Sequence, residues 1–277
     1  MSSAEHLSRY FTGKKALVTG GSSGIGKSLA QGLLRHGAEV VIVSDNGEAL
    51  RTALEELRAA GNAVSSYRCD LAESGQIERL ARSIVDERGV PDILINNAGF
   101  ATYRTFEQTP LEEVERLLKV NLLGAMLLTR HLLPGFIQRR SGAIVNMSSI
   151  AGTIPMTPCG TYSAAKHGMV AWSETMLSEL ARFDIHVNVI CPGRVETPFF
   201  SHETFRRRAA RPETKLTLPM SVVVEETLKA IAANRFLTYV PRTLGWLSWL
   251  RAAFPFAVNP VLRWLMRARV ESLYTIK

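Results

Sequence analysis

The chain has 277 residues, 46% of them hydrophobic, enough to fill a core as one domain or one domain with a small appendage. Its three cysteines, Cys69, Cys159 and Cys191, form no C-x-x-C pair and leave an odd count, which argues against a disulfide framework or zinc site and predicts reduced thiols and no metal. The formal charge is +8 and the excess lies late: residues 201–277 carry 13 Lys/Arg against 5 Asp/Glu, while residues 1–200 carry 20 of each.

Residues 1–15 contain no apolar run, so neither a signal peptide nor a membrane anchor is expected there. Residues 15–20 (KALVTG) read as a short buried strand, followed by GSSGIG and a helix over 27–36 that Gly37 ends. A second apolar strand over 39–44 and a helix over 48–60 come next, then a strand over 63–68 and a helix from Asp70-Leu71 to about Arg88. Residues 92–96 form a fourth strand ending in Asn96-Asn97-Ala98-Gly99. Pro110 opens a long helical run to about Arg139, apolar at Leu117, Leu118, Leu122, Met126 and Leu127. Strands over 143–147, 185–190 and 236–240 alternate with helices over 161–182 and 221–233. Continuous apolar strands alternating with helices predict a single α/β domain: a Rossmann-like, doubly wound parallel sheet of about seven strands, with a C-terminal helical extension.

Two stretches carry chemistry. Gly20, Gly24 and Gly26, within Thr19-Gly20-Gly21-Ser22-Ser23-Gly24-Ile25-Gly26, stand between a strand and a helix, the context that a dinucleotide's pyrophosphate requires. There Gly20 can make the tight turn, Gly24 lets backbone approach the phosphates, and Gly26 lets helix and strand pack closely, while the helix N-terminus supplies N–H groups. The second stretch is GAIVNMSSIAGTIPMTPCGTYSAAK, residues 142–166. Tyr162 and Lys166 are four apart and share a helix face. An ammonium there is expected to lower the phenol's pKa, and Ser149 can place a hydroxyl beside it. Such a trio can polarise a carbonyl and pass a proton to or from an alcohol. Tyr-x-x-x-Lys pairs also arise by chance on many helices, so the weight lies in the remaining motifs.

With TGGSSGIG at 19–26, Asp70-Leu71, NNAG at 96–99, Asn121, Ser149, Tyr162 with Lys166, and PGRVET at 192–197, the chain resembles the short-chain dehydrogenase/reductase family over residues 13 to about 200. Roles follow from the resemblance. Gly20, Ser22, Ser23, Gly24, Ile25 and Gly26 would hold the phosphates. Asp70, with Leu71, would take the adenine amino group, and Asn97, Ala98 and Gly99 would line the adenine-ribose side. Asn121 would fix a water relaying protons from Lys166. Lys166 would bind the nicotinamide ribose and acidify Tyr162. Tyr162 would be the acid/base and Ser149 the carbonyl-orienting donor. Pro192, Gly193, Val195 and Thr197 would hold the carboxamide. The family also implies a homo-dimer or homo-tetramer through the helices at 110–139 and 161–182. Outside such a pattern, Asn121 reads as a polar residue on a helix face and Asp70 as a helix N-cap.

The cofactor is NAD or NADP. Asp45 follows the second strand, Ser44 occupies the family's usual acidic position, and no Arg or Lys lies between Val40 and Leu50. A carboxylate repels a 2′-phosphate, which favours NAD(H). Lys27 is a candidate phosphate partner with a solvated surface side chain as its alternative. Cys159 reads as a pocket-lining or an inert thiol, and His167 as a packing or surface histidine.

The segment over about 198–220, with Phe199, Phe200, Phe205, Arg206–Arg208 and Pro212, reads as a substrate lid, and its bulk suggests a lipophilic substrate. Residues 1–240 would form the catalytic domain, lid included, and 241–277 a basic, aromatic extension. Trp246, Trp249 and Trp264 there alternate with Arg251, Arg263, Arg267 and Arg269, a composition suited to a helix lying on a membrane through 242–270, on the cytoplasmic inner face. Packing over the lid or at a subunit contact is the alternative, and no nucleic-acid module is recognised. The expected activity is hydride exchange between a nicotinamide cofactor and a secondary alcohol or ketone, on a hydrophobic or lipid-like substrate. Two other readings stand beside it: an enzyme like the 3-ketosphinganine reductases, using NADPH, and a non-catalytic dinucleotide sensor.

Overall fold

A computed structural model describes residues 2–59, 63–197, 199, 203–206 and 217–274. Its centre is one seven-stranded sheet: β1 (Lys15–Thr19), β2 (Glu39–Ser44), β3 (Val64–Arg68), β4 (Ile93–Asn96), β5 (Gly142–Met147), β6 (Ile185–Pro192) and β7 (Leu237–Val240). They lie in the order β3-β2-β1-β4-β5-β6-β7, with every pairing parallel. The chain runs outward from β1 to β3, then returns to place β4 on the other side. That reversal leaves a crevice at the carboxyl ends of β1 and β4, where ligands bind in open α/β sheets.

The central strands are mostly apolar because both faces are covered, whereas β3 at the sheet edge is VSSYR, and period-two sorting persists inside the central ones. Ala16, Val18, Ile93, Ile95, Ala143 and Val145 face one core, packed by α2 (Gly24–Arg35), α3 (Gly47–Arg58) and α9 (Met220–Ala232). Leu17, Leu94, Ile144 and Val187 face the other, under α4 (Ser74–Arg88), α6 (Gly124–Arg139) and α7 (Gly160–Leu180). Each large side chain fully removed from water contributes about 1.5–3 kcal/mol, so these layers hold the crevice in shape.

Three local features depart from the expected pattern. Residues Ser3–Phe11 form a helix, α1, started by a reciprocal cap in which Ser2 Oγ accepts from Glu5 N and the Glu5 carboxylate accepts from Ser2 N. It buries Leu7 and Phe11. The long helix expected from Pro110 runs over Leu111–Arg139, but its two α-helical parts, α5 (Leu111–Leu118) and α6, are joined by a π-helical turn at Lys119–Leu123 that contains Asn121. The C-terminal extension is two helices, α10 (Thr243–Ala253) and α11 (Pro255–Tyr274). A short helix, α8 (Glu203–Arg206), lies in the expected lid segment, whose residues 198, 200–202 and 207–216 fall outside the described residues. That portion includes Phe200, Arg207, Arg208 and Pro212.

Candidate active site

The glycine-rich turn between β1 and α2 is shaped for close approach of backbone. Gly20 has φ +65°, and a Cβ there would lie 2.9 Å from the Ala98 Cα. A Cβ on Gly26 would come within 2.2 Å of the Gly20 carbonyl oxygen and 2.4 Å of Asn97 Nδ2. Asn97 Nδ2 donates to Thr19 O at 2.9 Å, and the buried Thr19 hydroxyl accepts from the Asn97 and Ala98 amides at 2.9 and 3.0 Å. Thus the end of β4 is clamped to the end of β1. Ser23, at the N-cap of α2, makes no side-chain cap bond, which leaves the helix N-terminus to an incoming anion. Ser22 Oγ donates to Ser44 Oγ at 2.8 Å, tying the turn to β2. Lys27 pairs with Glu56 of α3 rather than reaching over the turn.

At the far rim stand Asp45 and Asp70. Asp70 Oδ1 accepts from Ala72 N at 2.9 Å, and Leu71 beside it is buried. Arg116, from α5, reaches both carboxylates: its Nη1 is 3.0 Å from Asp70 Oδ2 and its Nη2 is 3.6 Å from Asp45 Oδ2. Arg68 Nε donates to the Asp45 carbonyl oxygen at 3.0 Å. The stretch from Val40 to Leu50 holds no basic residue, but the fold brings in two guanidiniums from distant segments.

The second cluster lies beyond β4 and β5. Ser149 caps a short turn, Ile150–Gly152, by accepting from Ala151 N at 3.1 Å, and its side chain lies near enough to the Tyr162 hydroxyl to act on its pKa. One turn further along α7, Lys166 is buried, with Nζ donating to Met147 O at 2.8 Å and lying 5.7 Å from the Tyr162 ring centroid. Asn121 is fully buried; its Nδ2 donates to Phe100 O and Leu117 O, both at 3.0 Å. Its Oδ1 has no hydrogen-bond partner among the described residues. A Cβ placed on Gly99 would meet that oxygen at 2.4 Å and Lys166 Nζ at 3.6 Å, so glycine there lets the amide and the amine face one another. Asn121, Ser149, Tyr162 and Lys166 are therefore gathered beside the end of β4.

One electrostatic expectation is reversed. The Tyr162 pKa stands above the ordinary phenol value, not below it: desolvation by close packing dominates, and the nearby Ser149 side chain opposes it only in part. The amine that was to acidify the phenol is itself weakened, since burial lowers Lys166 to about 8. Burial also pushes the Cys191 thiol up to about 12.

On the third side, Gly193 N donates to Val240 O at 2.8 Å, directly after Pro192 at the end of β6. Val195 is buried and bridges to Leu218, with Thr197 two residues on. Phe199 lies 5.7 Å from Tyr162, ring centroid to ring centroid, and Phe205 lies 5.6 Å from Tyr103. A cleft beside Tyr162 is lined by Thr102, Arg104, Thr109, Pro158 and Cys159, so Cys159 does border the site. His167 Nδ1 donates to Ser163 O at 2.9 Å, and the ring takes no part in the cluster.

The sequence signals did not reveal two supports. Asn96 Nδ2 donates to Asn146 Oδ1 at 2.8 Å, and Asn146 Nδ2 to Ser173 Oγ at 2.7 Å, a buried polar chain linking β4, β5 and α7 beneath the cluster. The tail helices also dock here: Arg251 Nη1 donates to Thr153 O at 2.8 Å, Ser248 and Thr153 share a hydrogen bond at 2.8 Å, and the Tyr274 hydroxyl bonds to Glu107. Only polar residues inside otherwise apolar strands, such as Asn96 and Asn146, hinted at the first.

The turn fits a nicotinamide dinucleotide: side chains would fill its cradle, its helix N-terminus has no side-chain cap bond, and the buried Asn121 Oδ1 has no partner among the described residues. A dinucleotide crevice opening onto a phenol, a hydroxyl and an amine defines an oxidoreductase acting on CH–OH groups with NAD or NADP. The profile of the short chain dehydrogenase family matches residues 14–207. Ketoacyl reductase HetN of Nostoc sp. is 36% identical over 220 residues, covering 79% of this chain and 76% of that protein. A short-chain dehydrogenase/reductase from Burkholderia phymatum in complex with NAD superposes with a TM-score of 0.80 at 26% identity, covering 90% of this chain and 96% of the other. A Sphingobium yanoikuyae short-chain dehydrogenase in complex with NADPH gives 0.76 at 27% identity, over 92% and 95%. The chain belongs to the short-chain dehydrogenase family.

Proposed function

We propose that this protein interconverts a hydrophobic secondary alcohol and its ketone, with Tyr162 as acid/base and NAD(H) as the favoured cofactor. The observation that carries this reading is Lys166 Nζ lying 5.7 Å from the Tyr162 ring centroid, with the Ser149 side chain near enough to the phenol to lower its pKa. When bound, the nicotinamide supplies or accepts the hydride. The chain's own residues do the rest. Ser149 donates to the carbonyl oxygen and fixes its direction. Tyr162 gives that oxygen a proton in reduction and takes it back in oxidation. Lys166 binds the ribose and returns a proton to the phenol, through a water held by Asn121 Oδ1. Gly20, Ser22, Ser23, Gly24, Ile25 and Gly26 hold the phosphates; Asp45, Asp70, Leu71, Asn97, Ala98 and Gly99 the adenosine half; Pro192, Gly193, Val195 and Thr197 the carboxamide.

Phe199 against Tyr162 and Tyr103 against Phe205 support an apolar substrate, and the name of HetN points to a keto-acyl chain. The tail adds a second support. Trp246 and Trp264 are each 73% exposed, Trp249 58% and Phe256 94%, and residues 242–270 contain five arginines and no acidic residue. Such a surface suits peripheral contact with an anionic membrane on its cytoplasmic face, next to the loops that admit substrate. Exposed Leu111, Leu118 and Leu123 support pairing of copies into a dimer or tetramer.

The test is Tyr162→Phe. Turnover of hydrophobic ketones, followed by nicotinamide absorbance, should fall by about 10²–10⁴-fold while the dinucleotide still binds. Unchanged turnover removes Tyr162 from the chemistry, and a wild type that binds dinucleotide but turns over no substrate favours the sensor.

A further inference from the structure

We propose that Arg116 sets how well this protein accepts a 2′-phosphate, and so acts as its specificity-determining residue between NAD(H) and NADP(H). The inference rests on the reading of Asp45 and Asp70 as the ribose and adenine contacts.

Sequence proximity alone makes Asp45 a repeller of phosphate, because no cation stands near it in the chain. The fold changes the local charge. Arg116 arrives from α5 and lies 3.6 Å from the Asp45 carboxylate and 3.0 Å from that of Asp70. Arg68, at the end of β3, holds the Asp45 carbonyl oxygen. One guanidinium thus meets both carboxylates while a second holds the Asp45 backbone, and the rim carries positive as well as negative charge.

The three side chains of the triangle are not equally fixed. Asp70 is held, through Oδ1, by the Ala72 amide and is the least exposed. Asp45 and Arg116 are about half exposed, where an ion pair is worth little and side chains exchange partners easily. Asp70 Oδ2 is the oxygen that an adenine amino group needs, and Arg116 occupies it. Entry of the adenosine half therefore frees one edge of the guanidinium at the rim. With NADP(H), that edge meets a phosphate, which it can bind through two parallel N–H donors. With NAD(H), Arg116 keeps Asp45 as its partner.

The experiment is a binding titration on the full chain, with no turnover required. Kd for NADH and for NADPH is measured by nicotinamide fluorescence for wild type, Arg116→Ala and Arg68→Ala. The ratio Kd(NADPH)/Kd(NADH) should rise by about tenfold or more in Arg116→Ala, the size expected for loss of a charged, paired hydrogen bond. A rise below about fivefold, or a larger rise in Arg68→Ala, overturns the proposal. Thermal melting of each variant without dinucleotide shows that the change is not lost folding. Failure of wild type to bind either dinucleotide sinks the underlying cofactor reading as well. Wild-type binding with an unmoved ratio sinks the Arg116 proposal alone.

Discussion

Lys166 Nζ donates to the carbonyl oxygen of Met147 at 2.8 Å, from a position almost closed to solvent. The amine is thereby held at the end of β5, facing Asn121 Oδ1 across Gly99 and within reach of the Tyr162 ring. A single carbonyl bond is poor compensation for a buried charge, which is why burial lowers its pKa from 10.5 to about 8.

That shift makes stability depend on pH in a stated direction. Between about pH 8 and 10.5 the unfolded chain retains a proton that the folded chain has released, so folding gains stability as pH rises. Below pH 8 the cost is constant. Against Lys166→Met, wild-type stability in urea should improve by up to about 3 kcal/mol across that window. A difference that stays flat from pH 8 to 10.5 contradicts the buried amine.

Gly26→Ala drives a methyl to 2.2 Å from the Gly20 carbonyl oxygen, which must move. A loss of about 1–3 kcal/mol is expected in denaturant titration, together with weakened dinucleotide binding. Gly75→Ala is the control. It is exposed in the first turn of α4, its Cβ would meet only Arg79 Nη1, at 3.6 Å, and a gain of about 0.5–1 kcal/mol is expected.

Arg251→Ala cuts the bond to Thr153 O and leaves the Ser248–Thr153 hydrogen bond to tie α10 to the loop between Ser149 and Tyr162. Removing a charged hydrogen-bond donor should cost about 1.5–3 kcal/mol locally. The expected signature is faster amide hydrogen exchange over 150–158 and a raised KM for hydrophobic ketones. Exchange confined to residues 242–274 shows that the tail does not steady the site.

Trp246→Ala combined with Phe256→Ala removes two exposed rings from the tail surface. At about 1.5 kcal/mol per ring, partitioning onto anionic vesicles should fall by about 100-fold, and added salt should weaken the wild type. If sedimentation with vesicles is unchanged and the variant instead loses its oligomeric size, the surface joins copies of the chain.

The sequence determined whatever depends on neighbours along the chain. A spacing of four put Tyr162 and Lys166 on one face, GSSGIG between a strand and a helix marked the dinucleotide turn, and apolar strands alternating with helices gave the parallel sheet. These follow from backbone geometry that any chain must obey. It also singled out Asn121, Ser149, Tyr162 and Lys166 as candidates, because the resemblance rested on residues at fixed intervals, and the fold brings these four together. What only the tertiary structure decided was charge and contact between distant segments. Arg116 beside Asp45, the Asn96–Asn146–Ser173 chain, the π-turn that aims Asn121, and the tail docked on Thr153 join segments far apart in sequence. The reversed pKa of Tyr162 has the same origin: a neighbouring amine is visible in a sequence, whereas the desolvation that raises the phenol exists only once the chain has packed.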